Sequence, residues 1–433
     1  MQRTSRTFSI EPFYNLNKKL LRWAQQYETA VWLDSNKDEQ TYTNFDSILA
    51  IDEFTSIKTD AEHAFEKLKE YQSITQDYLF GYLSYDVKND SEKLTSTNVD
   101  QLGFAELFFF QPQKILFIKN NQIEFQYLTM VEDEIDTDFK AICNLVLKPQ
   151  STIISEGEIK IKSRISKKDY HQKVDKILEH IHKGNIYEAN FCQEFYAENT
   201  RINPLYIFED LNIISEAPFA TFFKIDTQYL LSASPERYLK KEGRKIISQP
   251  IKGTAKRFED PFQDQKTATD LSIDSKERSE NIMIVDLVRN DLSKSAKKGS
   301  VQVEELCKVY SFKQVHQMIS TVVSEIKEDV HPVDVIKDTF PMGSMTGAPK
   351  ISAMNIIEDL EETKRGVYSG GVGYFSPSGN FDFNVVIRSI LYNASKRYVS
   401  YSVGGAITAK SDPLKEYEEC LVKAKAMREV LEN

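Results

Sequence analysis

Lys114 to Val131 reads KILFIKNNQIEFQYLTMV, and the fold turns on how that stretch is taken. Two apolar-rich runs flank the pair Asn120-Asn121. Asparagine tolerates the left-handed backbone that a tight hairpin needs, so the pair is read as a turn between two antiparallel strands. The runs YLFGYLSYDV (Tyr78 to Val87) and FAELFFF (Phe104 to Phe110) are equally short, aromatic and β-like. Residues 1–155 are therefore expected to form a β-rich N-terminal subdomain. The boundary is placed where the composition turns acidic and then Pro- and Ser-bearing, between Glu132 and Glu158.

Beyond that boundary, apolar residues at Tyr170, Val174, Ile177, Leu178 and Ile181 follow the helical period, and Gly184 is a ready stop. Further helices are expected from about Asp264 to Leu292, Pro332 to Phe340, Pro349 to Glu362 and Pro413 to Glu432. Strand-like runs lie between them: IYEANFCQEFYAE, ATFFKIDTQYLLSAS, RKIISQPI, VYSGGVGYF, FDFNVVIRSILYN and RYVSYSVGGAIT. Strands and helices are mixed without βαβα alternation, which disfavours a doubly wound parallel sheet. Residues 156–433 are read as a second, catalytic domain.

The bulk properties exclude several classes. The chain has 433 residues, 41% hydrophobic and 28% charged, as expected of a soluble globular protein of more than one core. Its net charge of -10 argues against nucleic-acid binding, which needs concentrated Lys and Arg. Cys143, Cys192, Cys307 and Cys420 are scattered without paired spacing, so neither a zinc site nor a disulfide framework is signalled. No signal-peptide core and no long apolar window occur, so a cytoplasmic location without membrane contact is expected.

Two helices carry paired carboxylates. KERSEN places Glu277 and Glu280 on one helical face, and EYEECLVKAKAM does the same for Glu416 and Glu419, with Lys423 one turn on. Each pair alone is a solvated face; two pairs that converge would suit a hard cation such as Mg²⁺. FPMGSMTGAPK, with Gly343, Ser344, Thr346 and Gly347 before a helix opened by Pro349, offers backbone N–H groups to an anion but lacks the Walker A spacing. Gly404 and Gly405 lie inside a strand-like run, where glycine marks a bulge or a ligand's close approach. Arg388 among apolar neighbours wants an anion, either a structural carboxylate or a substrate. His316 is a core histidine or an acid, Glu236 sits beside Pro235 in ASPER, and Lys252 in SQPIKGTAKR is a surface residue or a reactive amine.

Taken together, these segments resemble the chorismate-utilising enzymes. SPER, PIKGT, KERSENIMIVDLVRNDL, VHQMIST, FPMGSMTGAPKISAMNIIEDLE, RGVYSGGVGYF, IRSI and SDPLKEYEECLVKAKAM are collinear with that family's motifs from about Ser166 to Leu431. The resemblance implies an α+β fold: two antiparallel β-sheets packed face to face with helices outside. PIKGT is the pattern of the branch that aminates chorismate at C4, aminodeoxychorismate synthase component I, whereas anthranilate synthase component I carries PIAGT. It implies Lys252 as a nucleophile at C2 of chorismate, Glu236 as general acid, and Mg²⁺ held by Glu277, Glu280, Glu416 and Glu419. Tyr368, Arg388, Lys423, Gly404 and Gly405 would bind the two substrate carboxylates, and His316 would stand near C4. Thr254, Gly343, Ser344, Thr346 and Gly347 fall in the same substrate-binding motifs. An amine with that role is expected to have its pKa lowered by burial or cationic neighbours.

The implied activity is a transaminase-class amination giving 4-amino-4-deoxychorismate for p-aminobenzoate and folate. The ammonia would come from a glutamine amidotransferase subunit, since no glutaminase elbow is present. Two alternatives are anthranilate synthase component I and a non-catalytic chorismate-binding subunit. The chain departs from the family at IYEANFCQ, where Glu188 stands in place of the usual glutamine or the lysine of the hydrating members. LDS at Leu33 to Ser35 only faintly echoes the tryptophan-binding motif of feedback-regulated relatives.

Overall fold

The computed structural model describes residues 2–10, 15–36, 42–92, 94–147 and 159–432. Every ladder between its strands is antiparallel. The opening hairpin is present: Leu107–Lys119 pairs with Gln122–Leu128 across Asn120 and Asn121, whose φ values are 49° and 60°. The runs FAELFFF and KILFIK prove to be one strand, which passes through Pro112. The proline sits where the register with Ser47–Thr59 shifts, a bulge that tolerates a missing N–H.

That irregular pair of long strands is shared by two sheets. On one side the order runs Ser47–Thr59, Thr29–Asp34, Phe219–Ile225, Gln228–Ser234, Ser389–Asn393, Tyr398–Thr408 and Glu188–Ala197. On the other, Leu107–Lys119 continues to Leu79–Leu83, Gly371–Phe375, Phe381–Val385, Arg237–Glu242, Lys245–Gln249 and Val315–Glu325. The last of these also pairs with Ile251–Lys256 and Gln302–Ser311. The two sheets face each other: Phe223 of the first packs against Tyr82, Phe108 and Phe110 of the second at ring separations of 5.9–6.2 Å. Alternation does the sorting, since Val31 and Leu33 point into this core while Ala30 and Trp32 point into the core beneath the outer helices.

The boundary expected at residues 155 and 156 lies outside the described residues. Strands from either side of it pair directly, Thr29–Asp34 with Phe219–Ile225 and Leu79–Leu83 with Gly371–Phe375.

Helices cover the outside. Lys167–His182 begins at Ser166, whose hydroxyl accepts the Asp169 N–H, and ends before Gly184 at φ 78°. The single helix expected from Asp264 to Leu292 is instead two, Pro261–Ile273 and Ser275–Ser295. Asp274 divides them because its carboxylate accepts the N–H groups of Lys276 and Glu277, an N-cap that starts a new helix. The terminal helix is Pro413–Glu432, as expected. Among the described residues no helix is long and apolar enough to cross a membrane.

Candidate active site

Lys252 lies on the strand Ile251–Lys256, next to Gly253 at φ 93°. A side chain at 253 would be strained by that φ and would press on Glu277, whose carboxylate oxygen is 3.2 Å from the position of a Cβ. The glycine thus brings the strand against the helix Ser275–Ser295. That helix is fixed to the same strand by Asn281, which donates to the Lys252 carbonyl at 3.3 Å and to that of Met318 at 3.1 Å. The Lys252 side chain turns inward, 13% exposed, and its ammonium donates to Glu188 Oε1 at 3.0 Å.

Glu188 opens the strand Glu188–Ala197, which a buried network positions. Arg365 donates to the carbonyls of Asn190 and Met345 and to Glu361, and Glu361 accepts the Cys192 N–H. These bonds tie the strand to the turn Gly343–Met345. From that turn Ser344 donates to Glu236 Oε1 at 2.7 Å. Gly347 then lets the chain pass so close to Glu188 that an added Cβ would lie 2.1 Å from its carbonyl oxygen.

The electrostatics follow from burial. Burial pushes the Glu236 carboxyl up to about 7, against the Ser344 hydrogen bond and the Lys252 charge. It also pushes Glu280 up to about 7, opposed by Lys252 and Lys276 and assisted by Glu277 and Glu188. Glu277 and Glu416 are raised by the same burial, whereas Lys423 holds Glu419 below the usual carboxylate range. Lys252 departs from expectation. Burial works to lower its pKa, but Glu188, Glu280 and Glu236 outweigh it and the net shift is upward, so the resting amine is an ammonium.

The two helical carboxylate pairs do converge. All four act on the Lys276 ammonium, which lies 3.8 Å from Glu280 Oε1, and Lys423 pairs with Glu419 at 2.8 Å. Glu280 Oε1 is buried without a hydrogen bond. Among the described residues, no three acidic, histidine or cysteine side chains are assembled closely enough to hold an ion. The donor set itself, oxygen throughout and dominated by negative charge, fits a hard divalent cation. Gly405 lies against Glu416, and the Gly404 carbonyl accepts from Lys423 at 3.0 Å.

Arg388 occupies the break between Phe381–Val385 and Ser389–Asn393, where the chain leaves one sheet for the other, at φ 52°. The strand expected over FDFNVVIRSILYN is divided there. No carboxylate pairs with its guanidinium among the described residues, and burial lowers its pKa while Tyr368 opposes that shift. It lines a cavity of about 370 Å³ with Pro235 and Gln317, and Glu236 and Ser344 line another of about 340 Å³. Tyr368 itself is buried with its hydroxyl 3.6 Å from Cys192 Sγ.

Other expected residues stand apart. His316 is buried with Nδ1 on Ser311 at 2.8 Å and Nε2 on Asp264 at 3.0 Å, so both ring nitrogens are engaged. Thr254 is exposed beside Lys252, and the Thr346 hydroxyl bonds within its own turn. Asn281, Lys276 and Arg365 were not singled out by sequence reasoning. Asn281 follows Glu280 directly and Arg365 opens RGVYSGG, but the helical period assigns neither a partner.

Comparisons with known proteins agree with this geometry. The family profile described as chorismate binding enzyme matches residues 28–429. Aminodeoxychorismate synthase component 1 of Escherichia coli (strain K12) is 38% identical over 270 residues, 62% of this chain and 59% of the relative. Anthranilate synthase component 1 of Acetivibrio thermocellus is 33% identical over 373 residues, 81% of this chain and 74% of the relative. The chain thus matches less than two thirds of the length of the first relative and more of the second. In structure, anthranilate synthase component I from Streptococcus pneumoniae TIGR4 superposes with a TM-score of 0.77 at 24% identity, covering 90% of this chain and 93% of that one.

Proposed function

The chain belongs to the chorismate binding enzyme family, and from that premise we propose that it is the synthase subunit that aminates chorismate to 4-amino-4-deoxychorismate. Ammonia would be supplied by a glutamine amidotransferase partner, and the product would feed p-aminobenzoate and folate synthesis. One observation carries the reading: the lysine of PIKGT is an interior amine, 3.0 Å from one carboxylate and under the field of Glu236 and Glu280.

The chemistry divides among the chain's own residues. Lys252, once neutral, attacks C2 of the ring; the diene electrons shift toward C4, and the C4–O bond breaks. Glu236, protonated up to about pH 7 by its burial, gives its proton to the departing hydroxyl, which leaves as water. Ammonia then bonds to C4, the electrons shift back, and Lys252 is released. Arg388, without a protein carboxylate, and Tyr368 beside it would hold one substrate carboxylate bidentately. Glu277, Glu280, Glu416 and Glu419 would hold Mg²⁺, which supplies Lewis-acid polarisation and neutralises the other carboxylate when bound.

A second reading, anthranilate synthase component I, is favoured by the greater span of that relative's match. Product identification separates them. With chorismate, Mg²⁺ and ammonium, accumulation of aminodeoxychorismate without pyruvate release supports the proposal; anthranilate with pyruvate refutes it. Chorismate bound without turnover would point to a non-catalytic subunit.

A further inference from the structure

Glu188 is the residue at which this sequence departs from the family pattern, and it is also the acceptor for Lys252. Among the described residues, the Lys252 ammonium makes its hydrogen bond to Glu188 Oε1 alone, at 3.0 Å. The Glu188 side chain is 1% exposed, and its Oε2 is buried with no hydrogen-bond partner. Its backbone is held from both sides, opposite Ala348 on one and Thr408 on the other. The other carboxyl groups whose charge reaches Lys252 are engaged differently: Glu236 accepts from Ser344, while Glu280 and Glu419 belong to the group around Lys276.

Resting on the function proposed above, we infer that Glu188 is the base that takes one proton from Lys252, frees the amine to attack, and holds that proton until the amine is released. A buried carboxylate with one unpaired oxygen is penalised in its charged form, so it gains from taking up a proton. The ammonium must lose one before it can act as a nucleophile.

The step balances. An Nζ–H bond breaks, its electron pair stays on nitrogen, and the proton moves across the 3.0 Å hydrogen bond to Glu188. That pair forms the N–C2 bond; the C4–O pair leaves with the hydroxyl, which Glu236 protonates to water. When ammonia adds at C4, the N–C2 pair returns to Nζ and Glu188 gives its proton back. Glu236 recovers its proton from ammonium, which must shed one to become ammonia.

The test uses the full chain with chorismate, magnesium chloride and ammonium chloride, and repeats the reaction without ammonium while following the Lys252 peptide by quenched mass spectrometry. Glu188→Gln keeps the size and an acceptor oxygen but cannot take the proton. Its kcat is expected to fall by about 100-fold or more with KM for chorismate within about threefold, and the adduct should form more slowly by the same factor. Glu188→Asp should recover part of the loss, and it carries the test if the glutamine variant does not fold. Wild-type kcat and adduct rate in Glu188→Gln would overturn the inference and leave the proposed function standing. Equal losses in both variants with a raised KM would also overturn it, by making Glu188 a prop for the site. If the wild-type protein forms no Lys252 adduct at all, the functional reading itself fails.

Discussion

Asn281 holds the backbone of Lys252: its amide donates to the Lys252 carbonyl at 3.3 Å and to the Met318 carbonyl at 3.1 Å, while its own oxygen accepts from Ser320 at 2.5 Å. One buried side chain therefore fixes the reactive strand to the helix that bears Glu277 and Glu280. Asn281→Ala would leave two carbonyls and a hydroxyl unsatisfied, for a loss of about 1–3 kcal/mol of stability. Thermal melts should show it as a lower Tm, together with a fall in kcat larger than any change in KM.

Glu236 and Glu280 make stability depend on pH in a stated direction. Each carboxyl is raised from 4.5 to about 7 on folding, mainly by burial. Between those values the folded state binds more protons than the unfolded one, so their contribution is complete below about 4.5 and is lost as pH rises through about 7. Denaturant midpoints should therefore fall between pH 5 and 8 by an amount on the order of a few kcal/mol, and Glu236→Gln should flatten part of that slope. The rate should fall over the same rise in pH as Glu236 loses its proton. A midpoint that climbs through this window in the wild-type protein would contradict the assignment.

Glu280→Gln separates repulsion from metal binding. Removing one charge from the carboxylates around Lys276 should raise Tm in chelator. Wild-type protein should instead gain stability with Mg²⁺, roughly 2.7 kcal/mol at a concentration a hundred times Kd, and the variant should lose most of that gain. Calorimetry with and without Mg²⁺ reads both effects without any turnover.

Arg388 has no protein carboxylate to serve, so its truncation should cost binding and not folding. Arg388→Met is expected to raise KM for chorismate by roughly 10- to 100-fold, as the loss of a charge-assisted pair implies. Its Tm should be unchanged or higher, because an unpaired buried charge is itself destabilising. A lower Tm with unaltered KM would assign Arg388 to the scaffold.

What the sequence made legible was local. The Asn120-Asn121 turn, the helix that starts at Ser166 and the terminal helix follow from short-range backbone preference and period, and each is present. The pairing of Glu277 with Glu280, and of Glu416 with Glu419, was equally visible as helical spacing. The break at Asp274 was hidden because a capping aspartate inside a polar run looks like any other helix-surface charge. Arg388 read as part of a strand because nothing local marks the crossing between sheets. The contacts that set the site, Lys252 with Glu188, Glu236 with Ser344 and Arg365 with Asn190, join residues far apart in the chain, and only the folded sheets bring them together. The upward shift of Lys252 has the same origin: burial was foreseeable, but three carboxylates arriving from separate elements were not.

The central claim is that Lys252 bonds to the substrate, and its most direct measurement is the mass of the Lys252 peptide after a rapid acid quench with chorismate and Mg²⁺ in the absence of ammonia. The account predicts a mass increase on that peptide equal to chorismate less water, absent in Lys252→Ala and discharged when ammonium is added. An unmodified peptide in protein that still forms aminodeoxychorismate would contradict it.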